Sequence, residues 1–417
     1  MSPADPPPLP PTSESESERL LLLGQPIPSL PGSLRHYRIP TRKAVLVLTP
    51  FVVVFIGAAT FLFGFAKFSS PKASIPNNLL PPIHPLPQPP ALPKSARNES
   101  FQLHSFNAFV VDVESAHITV HQSCAVKDTM LLSFAPASAP LNVKVSDYVL
   151  HIKSSSYRAI DINLCLPKTD LLFRSFYLKM GKGSIAWLLR QPLTISETLE
   201  LRIEQGSILS RTELPGRLIA GMLYISVQGS PGFVDLDAVY IKGNTTIKVE
   251  QHSSVSMDQF QTAGSLDVQA EMGELFISRS IIAESAKLAN SDRNITLDSL
   301  SAKKVSVKSS YGHIRGSVKG YKSLVAKTEY ALVELDLTMN IEETRTKVSS
   351  ESGPIALKVQ GFNGAFDAAS ELGTVLIHGH ADTPVIGNPA KGTVGGSSKK
   401  GILEASSNMG NVDITFI

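Results

Sequence analysis

Residues 268–278 read VQAEMGELFIS. The pattern returns as VKSSYGHIRGS at 307–317, VAKTEYALVEL at 325–335, VSSESGPIALK at 348–358, AASELGTVLIH at 368–378 and EASSNMGNVDI at 404–414. Each copy is a short strand with alternating apolar residues, a turn centred on Glu-x-Gly, and a second strand of form x-[VIL]-x-[VIL], the period-two signature of a face turned to a core. Glu204/Gly206, Glu271/Gly273, Glu351/Gly353 and Glu371/Gly373 give the motif in full, and Glu329/Ala331 and Asn408/Gly410 come near it. Anchored on the glycine, the copies fall at 183, 206, 232, 253, 273, 293, 312, 331, 353, 373 and 410, a period near 20 until the last gap. That period marks a solenoid, in which each rung buries its apolar face only by stacking on the next. The glycine is expected to supply φ > 0 between strands, which Ser253, Arg293 and Ala331 do not suit. The last gap holds GNPAKGTVGGSSKKG (387–401), expected as a loop on one side.

This Glu-x-Gly-x-Ile-x-Leu repeat resembles the adhesin-type DUF4097 domains, β-solenoid-like modules of cell surfaces and envelopes, over about residues 170–417. The resemblance implies an all-β, parallel β-solenoid or β-helix-like domain with an adhesive role, no cofactor and no catalytic residues to carry over. Residues 101–170 fit the repeat poorly. Their alternating stretches FNAFVVDVESAHITVHQ and VKVSDYVLHIKSSS are expected to form a β-rich N-terminal cap covering the solenoid's open end, with repeats from 171 to 417.

Upstream, Ala44–Ala66 has no ionisable side chain. As a helix it would span roughly 34 Å, enough to cross a bilayer core. A signal peptide would have a shorter apolar region nearer the N-terminus. Arg35, Arg38, Arg42 and Lys43 crowd one flank, while only Lys67 and Lys72 follow closely on the other. The positive-inside rule then predicts a single-pass transmembrane helix at 44–66, with residues 1–43 cytosolic and the rest lumenal or extracellular. Residues 67–100 are a Pro-rich linker, extended as a spacer. The sequons at Asn98, Asn244 and Asn294 lie on the outer side, as N-glycosylation candidates. Cys124 and Cys165 lie there too, where a disulfide could persist, though two buried free thiols fit the sequence equally.

The 1–43 tail, rich in Pro and in alternating Ser and Glu, is predicted to be disordered. Glu16 followed by Leu20 and Leu21, and Glu18 followed by Leu22 and Leu23, match the acidic dileucine pattern and so resemble sorting signals read by clathrin adaptors. They imply an endosomal or vacuolar destination, with the plasma membrane as the other. A short amphipathic turn on the bilayer is the plainer reading of the same leucines.

Only one constellation suggests chemistry. Asp237, Asp258, Asp298 and Asp336 share a position five residues after the anchor, with Asp235 beside Asp237. Adjacent rungs lie about 4.8 Å apart, so Asp237 and Asp258 could approach the spacing of a retaining glycosidase pair. Asp also favours strand ends for purely local reasons. His117/His121 and His378/His380 share strand faces without the further ligands a zinc site needs, and read as solvated surface residues. Trp187 and the scattered Tyr and Phe read as core or cap. The 39 Lys and Arg balance 36 Asp and Glu, a net +3 spread along the chain, which argues against a nucleic-acid surface. The preferred reading is a non-enzymatic, membrane-tethered solenoid whose outer face binds a protein or glycan. The alternatives are a polysaccharide-acting enzyme using Asp235, Asp237 and Asp258, or a lumenal accessory subunit of another membrane protein.

Overall fold

The computed structural model describes residues 96–417 apart from 125–126, 213–215, 340–342, 380–387 and 396–399. The 1–43 tail with Glu16, Glu18 and Leu20–Leu23, the 44–66 segment and the linker up to residue 95 lie outside the described residues. Those described are all-β. One 3-10 turn, Leu103–Ser105, interrupts the strands, and no helix among them is long and apolar enough to cross a membrane.

The repeat folds as parallel rungs in register. Val234, Val255, Leu275, Ile295, Ile314, Val333, Ile355, Val412 and Val375 stand opposite one another in an unbroken line. Each is buried. Alternation sends these side chains inward and their neighbours outward, so one apolar column serves every rung. Two long faces make each rung. One carries strands such as Leu266–Ala270, Ser323–Thr328 and Arg345–Ser350; the other carries Ser254–Asp258, Val333–Thr338 and Ile355–Gln360. The Glu-x-Gly turn joins them along one edge. On the opposite edge the middle rungs add a short third strand, as at Val239–Ile241 and Gln261–Thr262.

The anchor glycine has a different cause from the one expected. Positive φ occurs at Gly183 and Gly206 but not at Gly273, Gly312, Gly353, Gly373 or Gly410. What these positions share is a neighbouring rung's backbone. A Cβ on Gly273 would lie 1.7 Å from the Ser253 carbonyl oxygen, on Gly312 1.8 Å from that of Arg293, and on Gly353 1.9 Å from that of Ala331. Ser253, Arg293 and Ala331 are thus the partners over which a glycine closes. A run of left-handed residues that are not glycine sits at the opposite corner, Ala238, Gln259, Arg279 and Ser299, with φ of 52°, 51°, 47° and 70°, while at the turn itself Gln251 takes φ 52°.

Stacking order departs from chain order at both ends. Ala108–Cys124 pairs in parallel with Leu171–Leu189 on one side and with Val149–Ser154 and Ile160–Pro167 on the other. The 101–170 stretch, expected as a cap, therefore contains two rungs as well as capping strands. Arg97–Gln102, Thr129–Ala135 and Asn142–Ser146 are the antiparallel members. At the other end, the rung of Gly401–Ser407 and Val412–Phe416 lies between Arg345–Gln360 and the rung of Gly364–Ser370 and Val375–His378. The expected 387–401 loop is in part a strand: Ala390–Val394 pairs antiparallel with Gly364–Ser370 and covers the outermost rung. At the N-terminal end Phe106, Phe109, Phe173, Phe176 and Trp187 pack ring to ring, with centroids 4.8–6.1 Å apart.

Candidate functional site

The acidic column forms only in part: Asp298 has no partner across a register shift to the next rung, and Asp336 faces Ser317 and Lys358. Asp237 faces Asp258 on the next rung, Asp258 faces Ser278, and Ser278 faces Asp298; Asp235 faces Ser256. Its partners argue for structure. Arg279 grips Asp258 with two guanidinium contacts, Nε to Oδ1 at 2.8 Å and Nη2 to Oδ2, and Ser278 Oγ donates to Asp298 Oδ2 at 3.1 Å. Asp237 is half-buried, and its Oδ1 has no hydrogen-bond partner among the described residues. Burial, then the charges of Asp258 and Asp235, push its pKa above the usual carboxylate value. Burial raises Asp235 as well, against a hydrogen bond from Ser256. A retaining pair needs one free carboxylate nucleophile and one protonated acid. Asp258 is committed to Arg279, and each of Asp237, Asp258 and Ser278 immediately precedes a left-handed corner residue. That is the local role expected of Asp at a strand end.

The sequon asparagines are spread widely. Asn98 is exposed on Arg97–Gln102. Asn244 Oδ1 accepts from Ser265 N at 3.0 Å and Asn294 Oδ1 accepts from His313 N at 3.0 Å, each capping the next rung. A glycan on Nδ2 would leave both acceptors in place. Cys124 and Cys165 are joined in a disulfide, with Cα atoms 5.7 Å apart. His121 is buried, contrary to its reading as a solvated residue; burial lowers its pKa, and Ser123 Oγ lies 2.6 Å from its Nδ1. His117 Nδ1 meets Ser184 Oγ at 3.0 Å. His378 reaches Asp413 at 3.7 Å, and His380 lies outside the described residues. No group of metal-ligating side chains gathers among the described residues.

Two features escaped the sequence reading. The first is a buried polar ladder three residues before the anchor: Asn290, Ser309, Thr328, Ser350, Ser370 and Ser407. Ser350 Oγ accepts from Gly353 N at 2.8 Å and donates to Ala331 O at 3.3 Å; Ser407 does the same with Gly410 N at 2.9 Å and Gly353 O at 3.0 Å. The ladder satisfies the turn's backbone inside a dry core.

The second is a groove of about 540 Å³ beside the Glu-x-Gly turns. Lys248, Gln269, Ala289, Lys308 and Lys327 follow one another on five successive rungs along it. Lys287 points from the same wall and pairs with Asp267 at 3.5 Å, while Lys327 pairs with Glu351 at 3.6 Å. Lys248 and Lys308 make no ion pair among the described residues. Glu250, Glu271 and Glu329 line the turn side. Just beyond the turn, Tyr311 and Tyr330 stack at 5.1 Å and 11°, and are 61% and 55% exposed. Trp187 is core as expected, but these two tyrosines are surface residues. Lys308 and Lys327 were legible by aligning outward positions four residues before the anchor, where Gln269 and Ala289 also fall; Lys248 stands five before Ser253 and drops out of that alignment.

Comparison with known proteins agrees on the domain. The Toastrack DUF4097 family model matches residues 140–371, more than half of the chain, and starts before the 170 expected from the repeat alone. No curated protein matches. Among solved structures, a candidate lipid-binding protein from Parabacteroides distasonis is 12% identical, covering 78% of this chain and 97% of that one at a TM-score of 0.34. A candidate adhesin from Bacteroides fragilis is 13% identical, covering 78% and 98% at 0.26. Another from Parabacteroides merdae is 12% identical, covering 64% and 92% at 0.31. Likeness at these scores carries no functional argument. On the strength of the 140–371 match, the chain belongs to the Toastrack DUF4097 family.

Proposed function

We propose that this protein is a non-enzymatic binding protein, tethered by one membrane span at 44–66 and presenting its solenoid outside the cytosol. One observation carries the binding role: outward side chains stand in fixed columns, five rungs of which line one groove. In-register parallel pairing fixes their spacing at about 4.8 Å without any loop to order on binding, which lowers the entropic cost of recognition. The carboxylate column supports the same reading, because Asp258 is held by Arg279.

The tether rests on the apolar 44–66 segment and its basic flank, and delivery rests on Glu16, Glu18 and Leu20–Leu23 as a clathrin-adaptor signal. Beads coated with the full-length chain should adhere to a glycan-bearing cell surface, and failure to adhere would overturn the binding role. In cells, Asn244→Gln and Asn294→Gln should each remove a glycosidase-sensitive mobility shift. A chain without such shifts would place the solenoid in the cytosol. Replacing Leu20–Leu23 by alanine should redistribute a tagged chain to the cell surface, and an unchanged distribution would remove the sorting signal.

A further inference from the structure

The groove's chemistry narrows the ligand, given the binding role proposed above. Its wall carries Lys248, Lys308 and Lys327, with Gln269 and Ala289 between the first two: from Lys248 to Lys327 the column crosses four rung steps, about 19 Å, three of them between Lys248 and Lys308. Ala289, in the middle, carries only a methyl group and leaves the floor open. Lys248 and Lys308 are exposed and without ion pairs among the described residues, so both ammonium groups are open to a ligand. The turn side adds acceptors. Glu271 is occupied, its Oε2 receiving Gln251 N at 3.2 Å, whereas Glu250 and Glu329 make no ion pair among the described residues. A ligand that suits both walls brings anions for the lysines, three rung steps apart at Lys248 and Lys308, and hydroxyl donors for the glutamates.

A polyphosphate or DNA backbone brings anions along its whole length but no hydroxyl donors, so each glutamate would face a further anion and not a donor. A neutral sugar brings hydroxyls and leaves the lysines unanswered. An extended acidic sugar chain brings both, with a residue length close to one rung. Tyr311 and Tyr330, exposed and stacked on each other, follow directly in sequence on the groove residues Ser310 and Glu329, and aromatic rings are surfaces on which a sugar's apolar face packs. We propose that the groove binds a uronate-bearing oligosaccharide laid along the solenoid axis, with its carboxylates on Lys248 and Lys308 and its hydroxyls on Glu250 and Glu329.

The test uses the full-length chain and three probes: a labelled tetramer of galacturonate, its methyl ester, and inorganic polyphosphate of similar length. The acid should bind at least tenfold more tightly than the ester and the polyphosphate, and weaken as salt is raised. Lys248→Gln and Lys308→Gln, both at exposed sites, should each cost three- to tenfold. Ala289→Leu keeps every charge but fills the floor, and should abolish binding. Equal binding of acid and ester, equal binding of polyphosphate, no binding of the acid, or lysine variants that bind like the parent would each overturn the assignment. If Ala289→Leu fails to fold, the lysine variants decide alone. Coated beads that adhere to cells but are not displaced by the acidic tetramer would refute the groove assignment and leave the binding role standing. Beads that do not adhere would remove both.

Discussion

A Cβ added at Gly353 would sit 1.9 Å from the Ala331 carbonyl oxygen, and 2.2 Å from its carbon. Both atoms belong to a buried turn whose carbonyl oxygen is held by Ser350 Oγ, so neither swings aside freely. Gly353→Ala is therefore expected to cost about 3 kcal/mol, the upper range of overpacking, read as a drop in the denaturant midpoint. Gly320 is the control. It takes φ +62°, but a Cβ there meets nothing closer than 3.6 Å, so Gly320→Ala should cost only the left-handed penalty of about 1 kcal/mol. A loss at Gly353 no larger than that at Gly320 would show that the turn backbone yields to the added Cβ. Asp237 gives a prediction of opposite sign. Its folded pKa is raised, so its contribution to stability is greatest below the unfolded carboxylate value and is lost as pH rises through the folded one. Asp237→Asn should stabilise the protein at pH 7 by about 0.5 kcal/mol, the scale of one opposed charge pair, and have no effect near pH 3. A gain that persisted at pH 3 would point to packing instead of charge.

Turns and corners show what local sequence can reveal about an element. Apolar alternation and the recurring Glu-x-Gly made the strand pairs and their period legible, because each rung repeats the same side-chain demand. The polar ladder was hidden: Ser309, Ser350, Ser370 and Ser407 look like ordinary turn serines until their burial is known. Ser350→Ala should leave Gly353 N and Ala331 O unpaired in the core and cost about 1–3 kcal/mol. The acidic column was legible as a column but not as a set of bonds, since Arg279 lies a full rung after Asp258. The disulfide likewise depends on pairing that local pattern does not encode. It joins residues 41 apart, on adjacent strands, and the chain-entropy model assigns such a loop about 4 kcal/mol. Cys124→Ser with Cys165→Ser should lower the unfolding free energy, read from a denaturant titration, by up to that amount. A double variant as stable as the parent would mean that the N-terminal rungs hold without their staple.

Both ends of the solenoid place the penultimate rung out of chain order. At the N-terminal end the chain lays down Ala108–Cys124, then the outer rung, then returns to Leu171–Leu189. At the C-terminal end it lays down the outer rung at Gly364–His378 and only then fills the place beneath it with Gly401–Phe416. Sequence could not show this. Every rung offers the same apolar column, so any order of stacking satisfies the pattern equally, and only the full set of pairings distinguishes them. The physical consequence is that the last segment of the chain is clamped between two rungs, and the outer rung depends on it. Without residues 401–417, Gly364–Ser370 keeps only its antiparallel partner Ala390–Val394, and Val375–His378 loses its parallel partner. A lone two-stranded hairpin is marginal in water. A chain ending at residue 400 should therefore exchange its amide hydrogens at 364–378 as an unfolded segment does, while 266–338 retains protection close to that of the full chain, because stacked repeats are stabilised chiefly by their neighbours. Protection retained at 364–378 would mean that the outer rung docks directly onto Arg345–Gln360 once the place between them is vacated. Protection lost throughout would mean that the last segment holds the whole stack together.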